Sequence, residues 1–289
     1  MLDLEILFLC MIIAIGIGFL ASLFGIGGGF LLYPTMIFIA GMDVHSTVGT
    51  IPFVIIFMAL SSSIAYAKQK RIDYLITGIL VGTSMIGAIL GAYTSVQLPG
   101  QILVILFGIV EMILATILAI TKTPQEKLTL NKDNPNNQII PDKSPKWYII
   151  SRHKIDTKKN EYYYNANILF SLPISFVAGF LSSLLGIGGG SLYIQIYVFL
   201  CGMSIHMAIA CSIFSIFLTT ISSAITFIWL NQVNFIIGFS IIIGMIIGAQ
   251  IGAFVAHKIK SKLLKPMAAI IIIIIAIQMI IFAIIGKPS

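Results

Sequence analysis

Two identical glycine clusters hold the residues whose types and spacing are best suited to chemistry in this chain. The motif GIGGG occurs at residues 25–29 and again at 186–190, and each copy ends a long apolar stretch and opens a short one. Glycine adopts backbone dihedrals that other residues avoid, so the chain can leave helical geometry at both places. The helix that follows presents free N–H groups and a positive dipole end, which suit an anion. The alternative is that these glycines only allow close helix contact.

A histidine follows each cluster at the same distance. GMDVH ends at His45 and GMSIH ends at His206, so each histidine falls in the first turn of a long apolar stretch. Histidine can donate a hydrogen bond to an oxyanion, and its pKa lies close to physiological pH. The competing interpretation is a capping or packing histidine that fixes the break. One histidine per repeat, with no carboxylate or thiolate pair beside it, is a weak pattern for a metal, so the sequence predicts no metal and no cofactor.

Further polar residues are candidates because polar groups within apolar spans usually face the protein interior. Glu111 is the only charged side chain deep in a full-length apolar stretch, so we predict a proton-coupling role for it. A contact between helices or subunits, with the carboxyl protonated in place, is an equal alternative. The predicted substrate-binding residues are Gly27, Gly28, Gly29, Gly188, Gly189, Gly190, Ser191, His45, His206, Gln195, Thr47, Ser212 and Gln250.

The composition places these residues in a membrane. Hydrophobic residues make up 58% of the 289 and charged residues 9%, against about a quarter charged in a soluble domain. Three cysteines in apolar segments exclude a disulfide scaffold. The net charge of +7 lies in loops beside apolar spans, so nucleic acid is not a predicted partner. The region 1–24 lacks a basic start and is predicted to be a first span, not a cleaved signal peptide.

The hydropathy pattern predicts an all-α polytopic membrane protein. A helix needs about 20 residues to cross the hydrocarbon core, and two apolar pieces, Phe30–Ala40 and Ser191–Leu200, reach only about half that depth. We predict them as short or broken helices, which gives about ten helical segments. The full-length stretches are Leu4–Phe24, Val44–Ala67, Tyr74–Tyr93, Gln101–Thr121, Asn167–Leu185, Ile205–Leu230, Phe235–Ala256 and Lys265–Ile285.

An internal repeat organises these segments. The sequence that starts at Gly18 aligns without a gap with the sequence that starts at Gly179, a shift of 161 residues. The basic residues cluster in three groups, and the excess of Lys and Arg marks the cytoplasmic side. Both termini are then outside and the second repeat begins inside, so we predict inverted repeats. The predicted domains are a first repeat over 1–121, a basic cytoplasmic connecting loop over 122–165 and a second repeat over 166–289.

The duplicated GFLSSLLGIGGG-type motif, the trailing GM…H and the basic central loop resemble the TauE/SafE sulfite exporter family, also called the toluene sulfonate uptake permease family. The resemblance covers nearly all of the chain outside the central loop. Members are bacterial and plant membrane carriers, so the resemblance implies a carrier of sulfite, organosulfonates or related sulfur anions in the cell (inner) membrane, with proton coupling as the usual supposition. The family motif carries over onto residues 25–29 and 186–190. The roles of His45, His206 and Glu111 rest on the residues alone.

The predicted function is a secondary transporter of small sulfur-containing anions, an exporter or a permease. A passive anion channel is the first alternative, and a divalent-metal carrier that uses His45, His206 and methionines is the second. An enzyme is not predicted, because the spans hold no paired carboxylates, metal cluster or activated nucleophile. The predicted partners are the anion and the lipid bilayer, and a homodimer is compatible with the sequence.

Overall fold

The computed structural model describes residues 4–120, 147–157 and 161–256, together with single residues at 258, 259, 266, 267, 270, 273, 274, 276, 277 and 281. Within these residues, six helices are long and apolar enough to cross a membrane. The helices are α1 (Leu4–Phe24), α2 (Gly29–Phe38), α3 (Val44–Lys68), α4 (Tyr74–Gln97), α5 (Gly100–Ile120), α6 (Ile168–Leu184), α7 (Gly190–Gln195, followed by a π-helical turn Ile196–Leu200), α8 (Ile205–Trp229) and α9 (Phe235–Ala256).

These bounds confirm the all-α polytopic fold and both broken helices. The predicted spans up to residue 256 agree with the observed helices to within a few residues. Of the predicted span Lys265–Ile285 only single residues are described, and those are helical. The short helices α2 and α7 follow the two GIGGG motifs, and each begins after a glycine in the left-handed region, at φ 74° for Gly28 and 71° for Gly189. An L side chain is disfavoured at such a backbone conformation, so glycine permits both breaks.

The two repeats are interleaved. Helix α1 packs along α9 of the other repeat, α6 packs along α4, and α3 packs along α8. The glycines obey the 161-residue shift in their contacts as well: a Cβ on Gly18 would meet the backbone of Met245, and one on Gly179 would meet the backbone of Ser84. Small residues let membrane helices approach this closely. Each half therefore completes its packing with a helix of the other.

The paired helices are parallel. Along α1 and α9, Gly244 faces Met11 and Gly252 faces Phe19, so the contacts advance in the same direction on both helices. The equivalent pair α6 and α4 behaves in the same way, with Phe176 facing Gly87 and Phe180 facing Gly91. Helix α1 therefore starts on the face where α9 starts, and α6 starts on the face where α4 starts.

These directions establish that the repeats are inverted. The backbone N–H of Asp73, at the start of α4, donates to Sγ of Cys211 near the start of α8, at 3.3 Å. Helices α4 and α8 thus begin on one face, and α9, which follows α8, begins on the other. Helix α1 starts on the same face as α9, and α6 starts on the same face as α4. The two repeats therefore enter the bundle from opposite faces. This confirms the inverted topology predicted from the loop charges.

A small β-hairpin lies between the repeats, and the sequence analysis did not predict it. Strands β1 (Ile149–Ile155) and β2 (Glu161–Asn167) pair antiparallel, and all but the last two residues of β2 fall within the stretch predicted as a connecting loop. The rings of His153 and Tyr163, which are register partners, stack with centroids 4.3 Å apart. Alternation of apolar and polar residues is the usual sequence pattern of a strand. Both strands are too polar in composition to show it clearly. The hairpin is instead stabilised by ionic contacts with the bundle.

Candidate functional site

The two glycine breaks meet inside the bundle. A Cβ on Gly29 would overlap the backbone of Ile187, and a Cβ on Gly190 would overlap the backbone of Ile26. All four residues are buried. The last glycine of each motif therefore lets its loop cross the other loop in direct backbone contact. The pseudo-symmetry brings the starts of α2 and α7 to one place.

A single serine ties both breaks together. Ser212, in the second turn of α8, lies with its hydroxyl 2.8 Å from the carbonyl oxygen of Gly25 and 3.2 Å from that of Gly190. Its counterpart in the first repeat is Ile51, which has no polar atom to offer. Ser212 of the second repeat therefore supplies hydrogen bonds to the junction that its counterpart in the first repeat cannot. Ser212 was predicted to bind substrate, and in this conformation its hydroxyl faces backbone carbonyls.

The glycine contact has a consequence for ligand access. Residues 27–29 and 188–190 are all buried, and the backbone of one loop fills the space next to Gly29 or Gly190 of the other. A ligand cannot lie between these two glycines unless the loops separate. Close packing, the alternative raised for the motifs, is thus what the glycines do in this state. Binding of an anion at the helix starts requires a second state.

Helix α5 approaches the start of α7 through two polar contacts. The hydroxyl of Ser191 donates to Oε1 of Glu111 at 3.1 Å, and the side-chain amide of Gln195 donates to the carbonyl of Leu114 at 2.8 Å. Glu111 is completely buried, and its Oε2 has no hydrogen-bond partner within the described part of the chain. The proton-coupling candidate therefore contacts the residue that directly follows the second glycine motif.

The two histidines have equivalent backbone partners. Nε2 of His45 lies 2.9 Å from the carbonyl oxygen of Leu98, and Nε2 of His206 lies 3.1 Å from that of Ile259. Since a carbonyl only accepts, Nε2 carries the proton in both contacts. Each histidine thereby connects the start of a long helix to the residues that follow the next helix of its repeat. This geometry favours the packing interpretation over direct binding of substrate.

Two further predicted residues lie in different surroundings. Thr47 is buried and its hydroxyl has no partner among the described residues, while its neighbour Val48 packs against Gly186 of the second break. Gln250 is exposed and donates to both oxygens of Ser61 at 2.8 Å. Gln250 thus joins α9 to α3 on the surface, so the structure places Thr47 beside the breaks and Gln250 apart from them.

Three buried hydroxyls form a cluster that was not predicted from the sequence. Oγ of Ser84 lies 2.6 Å from Oγ1 of Thr219, the hydroxyl of Tyr193 lies 3.0 Å from that same Oγ1, and Tyr193 also bonds Ser84. The three residues come from α4, α7 and α8, more than a hundred residues apart for two of the pairs. Serine, threonine and tyrosine in separate spans have no local pattern, and only the packing of three helices unites them.

The hairpin attaches to the loop between α3 and α4 through two ion pairs of opposite sense, one of them fully buried. Arg71 of the loop pairs with Asp156 of the hairpin at 3.2 Å, and Arg152 of the hairpin pairs with Asp73 of the loop at 2.9 Å. The hydroxyl of Tyr164 also donates to Asp73. Asp73 caps α4 as well, accepting from the first backbone N–H groups of that helix.

Electrostatics at Asp73 favour the docked hairpin. Burial alone raises the pKa of this carboxyl, but hydrogen bonds from Arg152 and Tyr164 and the charge of Arg152 outweigh burial and hold its pKa below the ordinary value. The same bonds raise the pKa of Arg152. The backbone N–H of Asp73 also donates to Sγ of Cys211, the residue before Ser212, so the loop that binds the hairpin is connected to the helix that carries Ser212.

The described residues contain no group of three or more His, Cys, Asp or Glu side chains placed to hold a metal ion. The site consists instead of two backbone breaks, neutral hydroxyls and one buried carboxyl.

Comparison with known proteins agrees with this architecture. The family model described as sulfite exporter TauE/SafE matches residues 10–279. The probable membrane transporter protein YunE of Bacillus subtilis (strain 168) is 30% identical over 270 residues, which are 91% of this chain and 93% of that protein. The probable membrane transporter protein MJ0441 of Methanocaldococcus jannaschii is 28% identical, over 80% of this chain and 76% of its own. No solved structure matches the chain. This chain therefore belongs to the TauE/SafE sulfite exporter family and is a multi-pass membrane transporter.

Proposed function

We propose that this protein is a secondary transporter that carries a small sulfur-containing anion, such as sulfite or an organosulfonate, across the cell membrane by alternating access. The observation that supports the proposal most is the crossing of the two glycine loops. Two breaks related by an inverted repeat, in contact at the middle of the bundle, are the arrangement on which rocking-bundle carriers are built. In the proposed orientation the hairpin and the α3–α4 loop face the cytoplasm and both termini face outside.

The proposed mechanism depends on whether the two glycine loops are in contact or separated. In the observed state the backbone at Ile26 and Ile187 occupies the space beside the last glycine of the opposite motif. Separation of the loops on one face exposes the N–H groups at the start of α2 and α7, which attract an anion. Closing that face and opening the other then releases the anion. The breakable hydrogen bonds of Ser212 join the loops and provide a reversible connection between the two arrangements.

The choice of a sulfur anion rests on the family. The matching family model is described as a sulfite exporter. Sulfite is a compact oxyanion, and neutral N–H and O–H donors bind such a group without the desolvation cost of a buried cation. The two breaks and the buried hydroxyls offer that kind of donor, so the chemistry of the site is compatible with the family's cargo.

Proton coupling at Glu111 is the second part of the proposal. A carboxyl buried among helices is costly when ionised, and in membrane proteins it commonly marks a proton path. Glu111 bonds Ser191 directly, so a change in its protonation acts on the residue next to the second break. Loss or gain of that proton then changes how firmly the start of α7 is held against α5.

The test is transport by the purified full chain in proteoliposomes. Uptake of radiolabelled sulfite should saturate with concentration and decrease when unlabelled sulfite competes. It should increase when a proton gradient of one direction, either inward or outward, is imposed. Glu111→Gln should remove the response to the gradient, while the control Glu5→Gln, an exposed acid at the start of α1, should retain it. A gradient response that survives in Glu111→Gln would refute the coupling role, and absence of any sulfite flux in the native chain would refute the proposed cargo.

A passive anion channel is the alternative that this geometry disfavours. A channel needs a continuous pore, and the crossing loops fill the place where the two symmetry-related paths would join. Flux that increases linearly with sulfite concentration and shows no competition would favour the channel.

A further inference from the structure

We propose that the hydroxyls of Ser84, Tyr193 and Thr219 recognise the transported oxyanion and set its specificity. This inference rests on the proposed function and identifies side chains that bind the cargo. The three hydroxyls contact one another directly, at 2.6 Å between Ser84 and Thr219 and 3.0 Å between Tyr193 and Thr219. All three side chains are buried.

Their position along the helices supports the assignment. Ser84 lies near the middle of α4 and Thr219 near the middle of α8, so both are close to the centre of the membrane. Substrate sites of inverted-repeat transporters lie near this plane, at the interface of the repeats. The cluster bridges the interface, since α4 belongs to the first repeat and α7 and α8 to the second. It is therefore placed where a solute would be handed from one face to the other.

The cluster is also adjacent to the second glycine break. The backbone N–H of Tyr193 donates to the carbonyl of Gly189 at 3.0 Å. A Cβ on Gly189 would lie 3.0 Å from the ring of Tyr193. Any movement that separates the loops must therefore move the Tyr193 hydroxyl relative to its partners on α4 and α8. An anion that enters beside the break meets these hydroxyls next.

The place related to the cluster by the internal repeat provides a comparison. With the 161-residue shift, the positions of Tyr193 and Thr219 correspond to Leu32 and Met58, and Ser84 corresponds to Met245. These three counterparts are all buried and apolar. The fold therefore does not need hydroxyls at these positions to pack. Three polar groups present at only one of two symmetry-related places, at membrane depth where polar groups are costly, indicate a task other than packing.

The chemistry suits a weakly held, exchangeable anion. Three neutral hydroxyls can donate to one another when the site is empty and turn their hydrogens toward an oxyanion when it arrives. Hydrogen bonds to a charged acceptor are stronger than those between neutral groups. The hydroxyls thus favour an anion with several oxygen acceptors over chloride, which offers a single spherical acceptor, or over neutral solutes.

The experiment measures the concentration dependence of sulfite uptake for Ser84→Ala, Tyr193→Phe and Thr219→Val in proteoliposomes. Each variant should raise KM for sulfite by about tenfold to a hundredfold, which is the loss of one hydrogen bond to a charged group. Thr219→Ser, which keeps the hydroxyl, should remain close to the native KM. The matched control is Tyr66→Phe, since Tyr66 is equally buried and loses a hydrogen bond to the carbonyl of Ser22 elsewhere in the bundle.

The outcomes separate this inference from the proposed function. Native uptake with an unchanged KM in all three hydroxyl-deleting variants would overturn the inference and leave the transporter proposal intact. An equal rise of KM in Tyr66→Phe would also overturn it, because the effect would then belong to any buried tyrosine. If a hydroxyl-deleting variant does not fold, the inference is tested with Thr219→Ser and with the native protein, by comparing the thermal shift caused by sulfite with that caused by chloride. Equal stabilisation by both anions would contradict the specificity assigned to the cluster.

Discussion

The two ion pairs of the hairpin should differ in the energetic cost of breaking them, because their arginine side chains differ in solvent exposure. Asp156→Asn removes the partner of Arg71, whose side chain is only 4% exposed, so the guanidinium stays buried without its counter-charge. Breaking a buried pair in this way costs about 3–5 kcal/mol. Asp73→Asn removes the partner of Arg152, which is 30% exposed and can regain water. The second change should cost about 2 kcal/mol, close to a single charged hydrogen bond, and asparagine still caps α4.

The measurement is native-state hydrogen exchange of the paired amides in β1 and β2, which reports local opening of the docked hairpin. With tenfold per 1.4 kcal/mol, Asp156→Asn should speed exchange by about a hundredfold to several thousandfold, and Asp73→Asn by about thirtyfold. The double variant Arg71→Met with Asp156→Leu should recover most of the protection, because no buried charge is left unpaired. Equal rates in both single variants, or no recovery in the double variant, would refute the argument that ionic contacts dock the hairpin.

Three further predictions address the hairpin and the glycine loops. Gly190→Ala should lower the free energy of unfolding by about 1–3 kcal/mol, because its Cβ overlaps the backbone of the opposite loop. Gly78→Ala, with open space around its Cβ in α4, should be neutral or stabilising. Similar melting temperatures for the two variants would contradict the crossing of the loops. The depressed pKa of Asp73 means that its contribution to docking is complete above the ordinary aspartate pKa of about 4 and is lost as pH falls below it. Relative to the intrinsic amide exchange rate at the same pH, the hairpin should therefore lose protection only in acid, and a loss of protection between pH 5 and 8 would assign the effect to another group. A Gln69→Cys/Thr157→Cys pair should form a disulfide readily under mild oxidant, since a backbone hydrogen bond of 3.3 Å holds these residues together; failure to cross-link would show that the hairpin is not docked against the α3–α4 loop.

The lengths of the apolar stretches were sufficient to predict the helices. A chain that crosses the bilayer must satisfy its own backbone hydrogen bonds, so an apolar stretch of spanning length forms a helix. The same holds for the two breaks, since a cluster of four glycines before a half-length apolar segment does not favour one continuous helix. Loop charge predicted the inversion, and the parallel packing of α1 with α9 and of α6 with α4 confirms it. These features are local or compositional.

The parts that depend on long-range packing were not predictable from one sequence. The hairpin depends on ion pairs across 79 and 85 residues, and its strands are too polar to show a strand pattern. The hydroxyl cluster depends on α4, α7 and α8 meeting at one depth. The histidines were ambiguous in the sequence, and their carbonyl partners, each 53 residues away, favour a structural role, while substrate binding by them stays a prediction.

Counterflow tests the central claim most directly. Proteoliposomes that contain the full chain are loaded with unlabelled sulfite and diluted into a trace of radiolabelled sulfite at equal pH on both sides. A carrier whose site faces one side at a time exchanges labelled for unlabelled substrate, so alternating access predicts a transient accumulation of label above its equilibrium level that chloride loading does not produce. Entry of label that rises to equilibrium without this overshoot, or that is the same after chloride loading, would contradict transport of sulfite by alternating access.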